Sequence, residues 1–344
     1  MGIMTVNGVI RREDLGITTP HEHALIDISN QYPGDRIAGS VGFDAKVAPE
    51  HYAALMADPY ALRDNLMLDD RALAIREVAA FAQAGGSCFV DVTLEEIGRD
   101  VRFLRELSRE TGMHVLCGCG HYTADAHPAR LREMSVEEIA EEMVRELSVG
   151  IDGTDVRAGV IGELGTSTVL DPQELRVLQA AAIAQKKTGA PIMVHLSPWA
   201  QHGSLVTDLL LQHGADPAHI CLCHTDILLD TQDMKQLLQR GVYLEFDNFG
   251  KEFHAKNAYG SFPTDSQRVD CLCALIDAGY TDQLLISCDI CLKNLLGAHG
   301  GPGYAHILQR IAPMLRRRYK NAQEILDALL IRNPAAYFDN PNLA

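Results

Sequence analysis

Two histidines one residue apart, in Thr18-Thr19-Pro20-His21-Glu22-His23-Ala24-Leu25, are the first residues whose types and spacing could do chemistry. Side chains alternate along an extended segment, so His21 and His23 share a face. Two imidazoles on one face can grip a divalent cation. Alone, such a pair is more often two ordinary polar surface residues. Glu22, between them, is expected to face outward as support. What the rest of the chain carries to the same place decides the matter.

Past a turn at Asn7-Gly8 and the strand ending in the histidine pair, residues 30–66 are irregular, broken by Pro33-Gly34, Gly39 and Pro49. They read as a long loop with some helix, and loops of that length are usually functional. Strand and helix patterns then alternate. Strands are expected at 87–93, 114–120, 158–164, 191–195, 219–224, 241–247 and 284–289. Helices are expected at 71–84, 97–111, 135–148, 172–187, 205–213, 231–240 and 266–278, with a helical region from 304 onward. The 135–148 helix opens on a capping box, Ser135-Val136-Glu137-Glu138. Strands alternating with helices pair in parallel, and eight such units favour a closed α/β barrel, the (β/α)8 TIM barrel, as a single domain over residues 1–344. The runner-up is an open doubly wound sheet, weakened by the lack of a Gly-rich nucleotide fingerprint after the first strand.

In such a barrel every strand delivers its C-terminal end to one rim. His21 and His23 end the first strand, Glu163 the fourth, His195 the fifth, His224 the sixth and Asp289 the eighth. Any one of them could be a cap or turn residue. Glu163 closes an apolar strand, where an unpaired carboxylate is costly. Together the six nitrogen and oxygen donors suit two divalent ions, zinc foremost, with manganese or cobalt also compatible. Glu163 is the natural shared anion between them.

These residues carry a resemblance. From Thr5-Val6-Asn7-Gly8 and Leu15-Gly16-Ile17-Thr18 through His21-Glu22-His23 to Gly300-Gly301-Pro302-Gly303-Tyr304-Ala305-His306-Ile307, the chain resembles the phosphotriesterase-like branch of the amidohydrolase superfamily. Glu163, in Gly162-Glu163-Leu164-Gly165-Thr166-Ser167, stands where that family often has a carboxylated lysine, as in the relatives that use glutamate. Cys288 departs from the pattern, since the residue before the strand 8 aspartate is commonly histidine. The resemblance implies that His21, His23 and Asp289 hold one ion, His195 and His224 the other, with Glu163 bridging. It implies metal-assisted hydrolysis, in which a shared water ionises near neutral pH and Asp289 takes its proton. Lactone and ester hydrolysis is the expected activity, with phosphotriester or amide hydrolysis as the alternative.

Lys251, Lys293 and Tyr304 fall on rim loops and could bind a phosphate or carboxylate of the substrate, such as a phosphorylated sugar lactone; exposed lysines can equally be mere surface. His121-Tyr122, past the third strand, and Trp199, past the fifth, are candidate pocket walls, with Tyr122 a candidate substrate contact. Arg268 is expected to face solvent. Cys288-Asp289-Ile290-Cys291 has CxxC spacing but no second pair to complete a zinc site. Cys117/Cys119 and Cys221/Cys223 read as core residues, the latter pair facing the helix shell if His224 faces inward.

With 46 Asp and Glu against 30 Lys and Arg, the net charge of −16 disfavours nucleic acid or an anionic membrane as the main partner. The expected partner is a small-molecule substrate, and a homodimer is an allowed assembly. Nine cysteines and no secretory pattern lead to an expected cytoplasmic location. Two other readings stay open: a mononuclear deaminase leaving Glu163 free of metal, and a barrel that serves as a scaffold.

Overall fold

The computed structural model describes residues 2–34, 41–42, 44–255 and 260–343. Eight strands form one sheet: β1 (Thr18–Glu22), β2 (Cys88–Asp91), β3 (His114–Cys119), β4 (Val160–Gly165), β5 (Ile192–His195), β6 (Ile220–Leu222), β7 (Tyr243–Phe246) and β8 (Leu284–Ile286). Each pairs in parallel with its predecessor in unbroken chain order. Helices cross between them: α1 (Arg71–Gln83), α2 (Val101–Thr111), α3 (Val136–Ser148), α4 (Pro172–Thr188), α5 (Gly203–Gln212), α6 (Thr231–Leu238) and α7 (Asp265–Asp277), with α8 (Ala312–Arg318) after β8. The architecture is a (β/α)8 TIM barrel.

The ring closes between β8 and β1 without a regular ladder. Asp289 N–H donates to the His21 carbonyl at 3.2 Å. The Glu22 carboxylate takes the N–H groups of Cys288 and Ile290 at 3.0 and 2.8 Å, and the Thr19 hydroxyl at 2.7 Å. Glu22 is therefore buried in the seam and does not face outward. Backbone donors at an irregular closure need an acceptor, and the register shift between β1 and β2 at Thr19–Glu22 accompanies its placement there.

One apolar layer fills the space between strands and helices, and a second fills the barrel's interior with Val90, Leu116, Val160, Met193 and Leu285. Ile3, Leu15, Tyr337 and Phe338 belong to the interior layer, and the Tyr337 hydroxyl donates to the Ile192 carbonyl at the start of β5. Close approach between neighbouring strands has a sequence cause: a Cβ on Gly162 would lie 2.3 Å from the Met193 carbonyl oxygen.

The capping box at Ser135 and Glu138 forms as read, and α4 and α7 open on boxes of the same kind at Asp171/Glu174 and Thr264/Gln267. The helix expected at 97–111 begins later. Gly98, at φ 101°, breaks the chain, and Asp100 caps the start by accepting Phe103 N–H. The irregular stretch falls partly outside the described residues (35–40 and 43). Its described part holds short turns and one helix (Tyr52–Ala57), and a two-residue pairing of Ile26–Asp27 with Met67–Leu68 flanks it on either side. No helix among the described residues is long and apolar enough to cross a membrane.

Candidate metal centre

The rim brings His21, His23, Glu163, His195, His224 and Asp289 into one buried cluster, of which only the His195 side chain is appreciably exposed. Two positions need unusual backbone: His224 at φ 59° and Asp289 at φ 45°. Left-handed conformations are rare for such residues and concentrate at functional sites. At His224 this has a visible effect. Cys221 and Cys223 lie in the barrel interior, not toward the helix shell as strict alternation required. The left-handed turn lets Cys223 and His224 both point inward.

Hydrogen bonds fix which ring nitrogens face the cluster. The Thr93 hydroxyl donates to the Leu25 carbonyl at 3.0 Å, so it must accept from His23 Nδ1 at 2.8 Å. That places the His23 proton on Nδ1 and leaves the Nε2 lone pair free. Asp247 accepts from His224 Nδ1 and from its backbone N–H, both at 2.9 Å, with the same result. His21 Nδ1 faces Asp247 at 3.5 Å and Glu245 at 3.6 Å.

The free nitrogens then converge on carboxylates. His21 Nε2 lies 3.3 Å from Glu163 Oε2 and 3.7 Å from Asp289 Oδ1. His23 Nε2 lies 3.3 Å from Glu163 Oε1 and 3.1 Å from Asp289 Oδ1. On the other side His195 Nδ1 lies 3.1 Å from Glu163 Oε2 and 2.8 Å from His224 Nε2. Both nitrogens of His21 are buried without a hydrogen-bond partner. Lone pairs facing carboxylate oxygens in a dry site repel unless cations lie between them, so these residues fit divalent metal. Their spacing yields three overlapping sets: His21 with His23 and Glu163, His195 with His224 and Glu163, and His21 with His224 and Asp289, the last joining the two sides.

The field of the cluster shows the same lack of positive charge. Burial disfavours a charged His23, yet Asp289 and Glu163 outweigh it and raise the ring to about 9. At His224 burial is likewise outweighed, chiefly by Asp247, and the ring rises to about 10. Burial pushes the Glu163 carboxyl up, but His21, His195 and His224 together hold it well below the usual carboxylate range.

A cavity of about 550 Å³ opens over this cluster. Tyr122 and Trp199 line it as expected, and the Tyr122 hydroxyl sits 3.4 Å from His195 Nδ1. His121 instead pairs with buried Glu96. Lys251 lines the cavity, but its Nζ is bonded to Asp289 Oδ2. The other two proposed anion binders are not there. Lys293 Nζ is drawn to Asp64 and Asp69 at 3.0 and 3.2 Å. Tyr304 is 1% exposed behind the histidine pair, its hydroxyl donating to the His23 carbonyl at 2.6 Å and its ring edge-on to Phe89. Arg268 does not face solvent. It is 0% exposed, with Nε 2.9 Å from Asp226, and it donates to the Lys251 carbonyl at 3.1 Å.

Glu245 and Asp247 escaped the sequence reading. Their signal was visible: Tyr243-Leu244-Glu245-Phe246-Asp247 places two acids at period two on an otherwise apolar strand, hence on one face. That face is the barrel interior, below His21 and His224.

The sequence model of the Phosphotriesterase family matches residues 1–338. The N-acetyltaurine hydrolase of Tetraodon nigroviridis is 35% identical over 336 residues, covering 96% of each chain. Among solved structures, a resiniferatoxin-binding protein from Rhodobacter sphaeroides superposes with a TM-score of 0.94 at 38% identity, covering 98% of this chain and 95% of that one. A mutant of a PTE-like lactonase from Deinococcus radiodurans superposes at 0.78 with 30% identity, covering 98% and 100%.

Proposed function

Since the chain belongs to the phosphotriesterase family, we propose that it is a hydrolase with a dinuclear metal centre that opens lactones or cleaves carboxylic esters. Glu163 carries the dinuclear reading: its Oε1 faces His23 at 3.3 Å while its Oε2 faces His195 at 3.1 Å, so one carboxylate serves both imidazole sets. His21, His23 and Asp289 would hold one ion, His195 and His224 the other, with Glu163 between. Zinc suits these donors best, and manganese or cobalt would also be accepted. Bound there, divalent ions supply Lewis acidity toward a substrate oxygen and make water acidic enough to react at neutral pH.

The chain's own groups do the rest. Asp289 presents Oδ1 to the ligand cluster and Oδ2 to Lys251 Nζ, so it stands where a proton released in the attack can be held and passed to the leaving oxygen. Lys251 fixes that carboxylate's orientation. The Tyr122 hydroxyl, between His195 and the cavity, can orient a substrate carbonyl. Lys293 and Tyr304 have no part in this reading, because neither lines the cavity.

A second reading, amide hydrolysis, draws support from the N-acetyltaurine hydrolases among the relatives. The same centre would serve it, with a nitrogen leaving group in place of oxygen. The partner proposed in either case is a small molecule. The acidic chain is poorly suited to nucleic acid or an anionic membrane surface, a homodimer is compatible, and a cytoplasmic setting agrees with nine free cysteines. Metal-loaded protein assayed on matched lactones, aryl esters and N-acyl amides tests the reading. Turnover of a lactone or ester at least tenfold above any amide supports the first; the reverse order supports the second.

A further inference from the structure

Asn248 lies on the connection after β7 and lines the cavity, although only 3% of it is exposed. Its amide is gripped from two sides. Nδ2 donates to Asp226 Oδ1 and to Asp247 Oδ1, both at 2.7 Å, and the Asn248 backbone N–H donates to Asp226 Oδ2 at 3.0 Å. Asp226 is in turn anchored by Arg268, and Asp247 Oδ1 also takes the His224 Nδ1 proton. The amide is thus tied to the ligand cluster through a single carboxylate oxygen.

The two ends of an asparagine amide have nearly the same shape, so its orientation follows from its partners. Here they leave one choice. An oxygen turned toward Asp226 and Asp247 would face two carboxylate oxygens with no proton between. An amide nitrogen carries two hydrogens, and both are spent on those carboxylates. Oδ1 therefore points away from them, and among the described residues nothing donates to it. It is not sealed in the interior either, so it opens into the cavity that Asn248 lines. The result is an acceptor fixed in place, because turning the amide over would break two charge-assisted bonds. A substrate that sets an N–H or O–H against it keeps both bonds and adds a third. A substrate that sets a methyl or an oxygen lone pair there displaces water and leaves the acceptor unpaired.

Resting on the hydrolase reading above, we infer that Asn248 is a specificity-determining residue whose Oδ1 accepts a hydrogen bond from an N–H or O–H carried close to the scissile carbonyl. The link through Asp247 to His224 places that contact beside the reacting end of the substrate. A hydroxyl on a lactone ring and the N–H of a secondary amide both supply such a donor.

The test compares substrates that differ in the donor, on the metal-loaded protein. γ-Butyrolactones with a hydroxyl at the α or β carbon are set against their methoxy counterparts, and N-alkyl acetamides against the same amides methylated on nitrogen. In at least one pair, kcat/KM should be at least about tenfold higher for the member that carries the donor. A preference confined to the lactones assigns the donor to a hydroxyl; one confined to the amides assigns it to an N–H. Asn248→Ala should shrink the ratio at least about fivefold, with Asn248→Ser giving the same direction if the first variant folds poorly. A residue that merely braces Asp226 and Asp247 would lower both members of a pair alike. An unchanged ratio in the variants, or a ratio near one in every pair for the parent, overturns the inference even if the substrates are hydrolysed. If none is turned over, the hydrolase reading fails for these classes, and the same pairs are scored by ligand-induced shift in Tm. A larger shift for the donor-bearing member, lost in Asn248→Ala, upholds the contact; equal shifts, or none, overturn it.

Discussion

The inner and outer ends of the cavity are built by different parts of the chain under different rules. At the inner end, His21, His195, His224 and Glu163 come from strand ends, with buried Glu245 and Asp247 beneath His21 and His224. At the outer end, Trp199, Phe262, Asp58 and Asp125 come from the long connections after β5, β7, β1 and β3. A strand end has its position dictated by register with two neighbours, so a shift there propagates around the ring. A loop residue answers to local contacts and can change without disturbing the barrel. On the proposed reading, chemistry belongs to the rigid part and substrate choice to the variable part.

Substitutions can break or sharpen that contrast. The largest effect is expected at Glu163. Changing it to Ala removes the carboxylate shared by both ligand sets, and kcat/KM should fall on the order of 10³-fold or more on whichever substrate is turned over. Steady-state kinetics within tenfold of the parent, with both ions still bound, would falsify the bridging role.

Next comes the buried pair under the rim. Arg268 and Asp226 are both 0% exposed, and Arg268→Met strands a carboxylate with no cation. A loss of about 3–5 kcal/mol is expected from thermal or denaturant unfolding, recovered in good part by Asp226→Leu in the same chain. If the single and double variants unfold alike, the pair is not what stabilises this loop. Smaller still is Asp247→Asn, which weakens the hold on the His224 Nδ1 proton. Chelator competition should show one ion bound 10–100-fold less tightly, roughly the range for groups that orient a metal-binding histidine. Unchanged affinity would mean that His224 is oriented by packing alone. Last, at the outer end, Asp125→Asn should move stability by no more than about 0.5 kcal/mol. A large change in Tm there would erase the distinction between the two ends.

The same contrast explains what the sequence made legible. All six rim residues could be found because strand and helix alternation, once counted to eight, places every strand end on one face. The errors share a cause: they depend on contacts between segments distant in the chain. Lys293 was expected over the cavity, but Asp64 and Asp69 claim its ammonium across the barrel's first connection. Tyr304 looked like a rim phenol and is instead packed behind β1. Arg268 was expected in solvent because buried arginine is uncommon, and no local pattern announces Asp226 as its partner. Cys221 and Cys223 fall on the other side because a left-handed residue at His224 interrupts alternation, and the apolar run before it does not announce the break. Glu245 and Asp247 are the instructive case: their spacing was plain, but the need for acids beneath the histidines shows only once His21 and His224 are seen above them.

Everything rests on Glu163 serving two ions at once. Elemental analysis of the purified chain, saturated with zinc and freed of loose metal, measures this directly. About two ions per chain are expected for the parent protein, with a loss of at least one in Glu163→Ala. A single ion per chain at full activity, unchanged by that substitution, would contradict it.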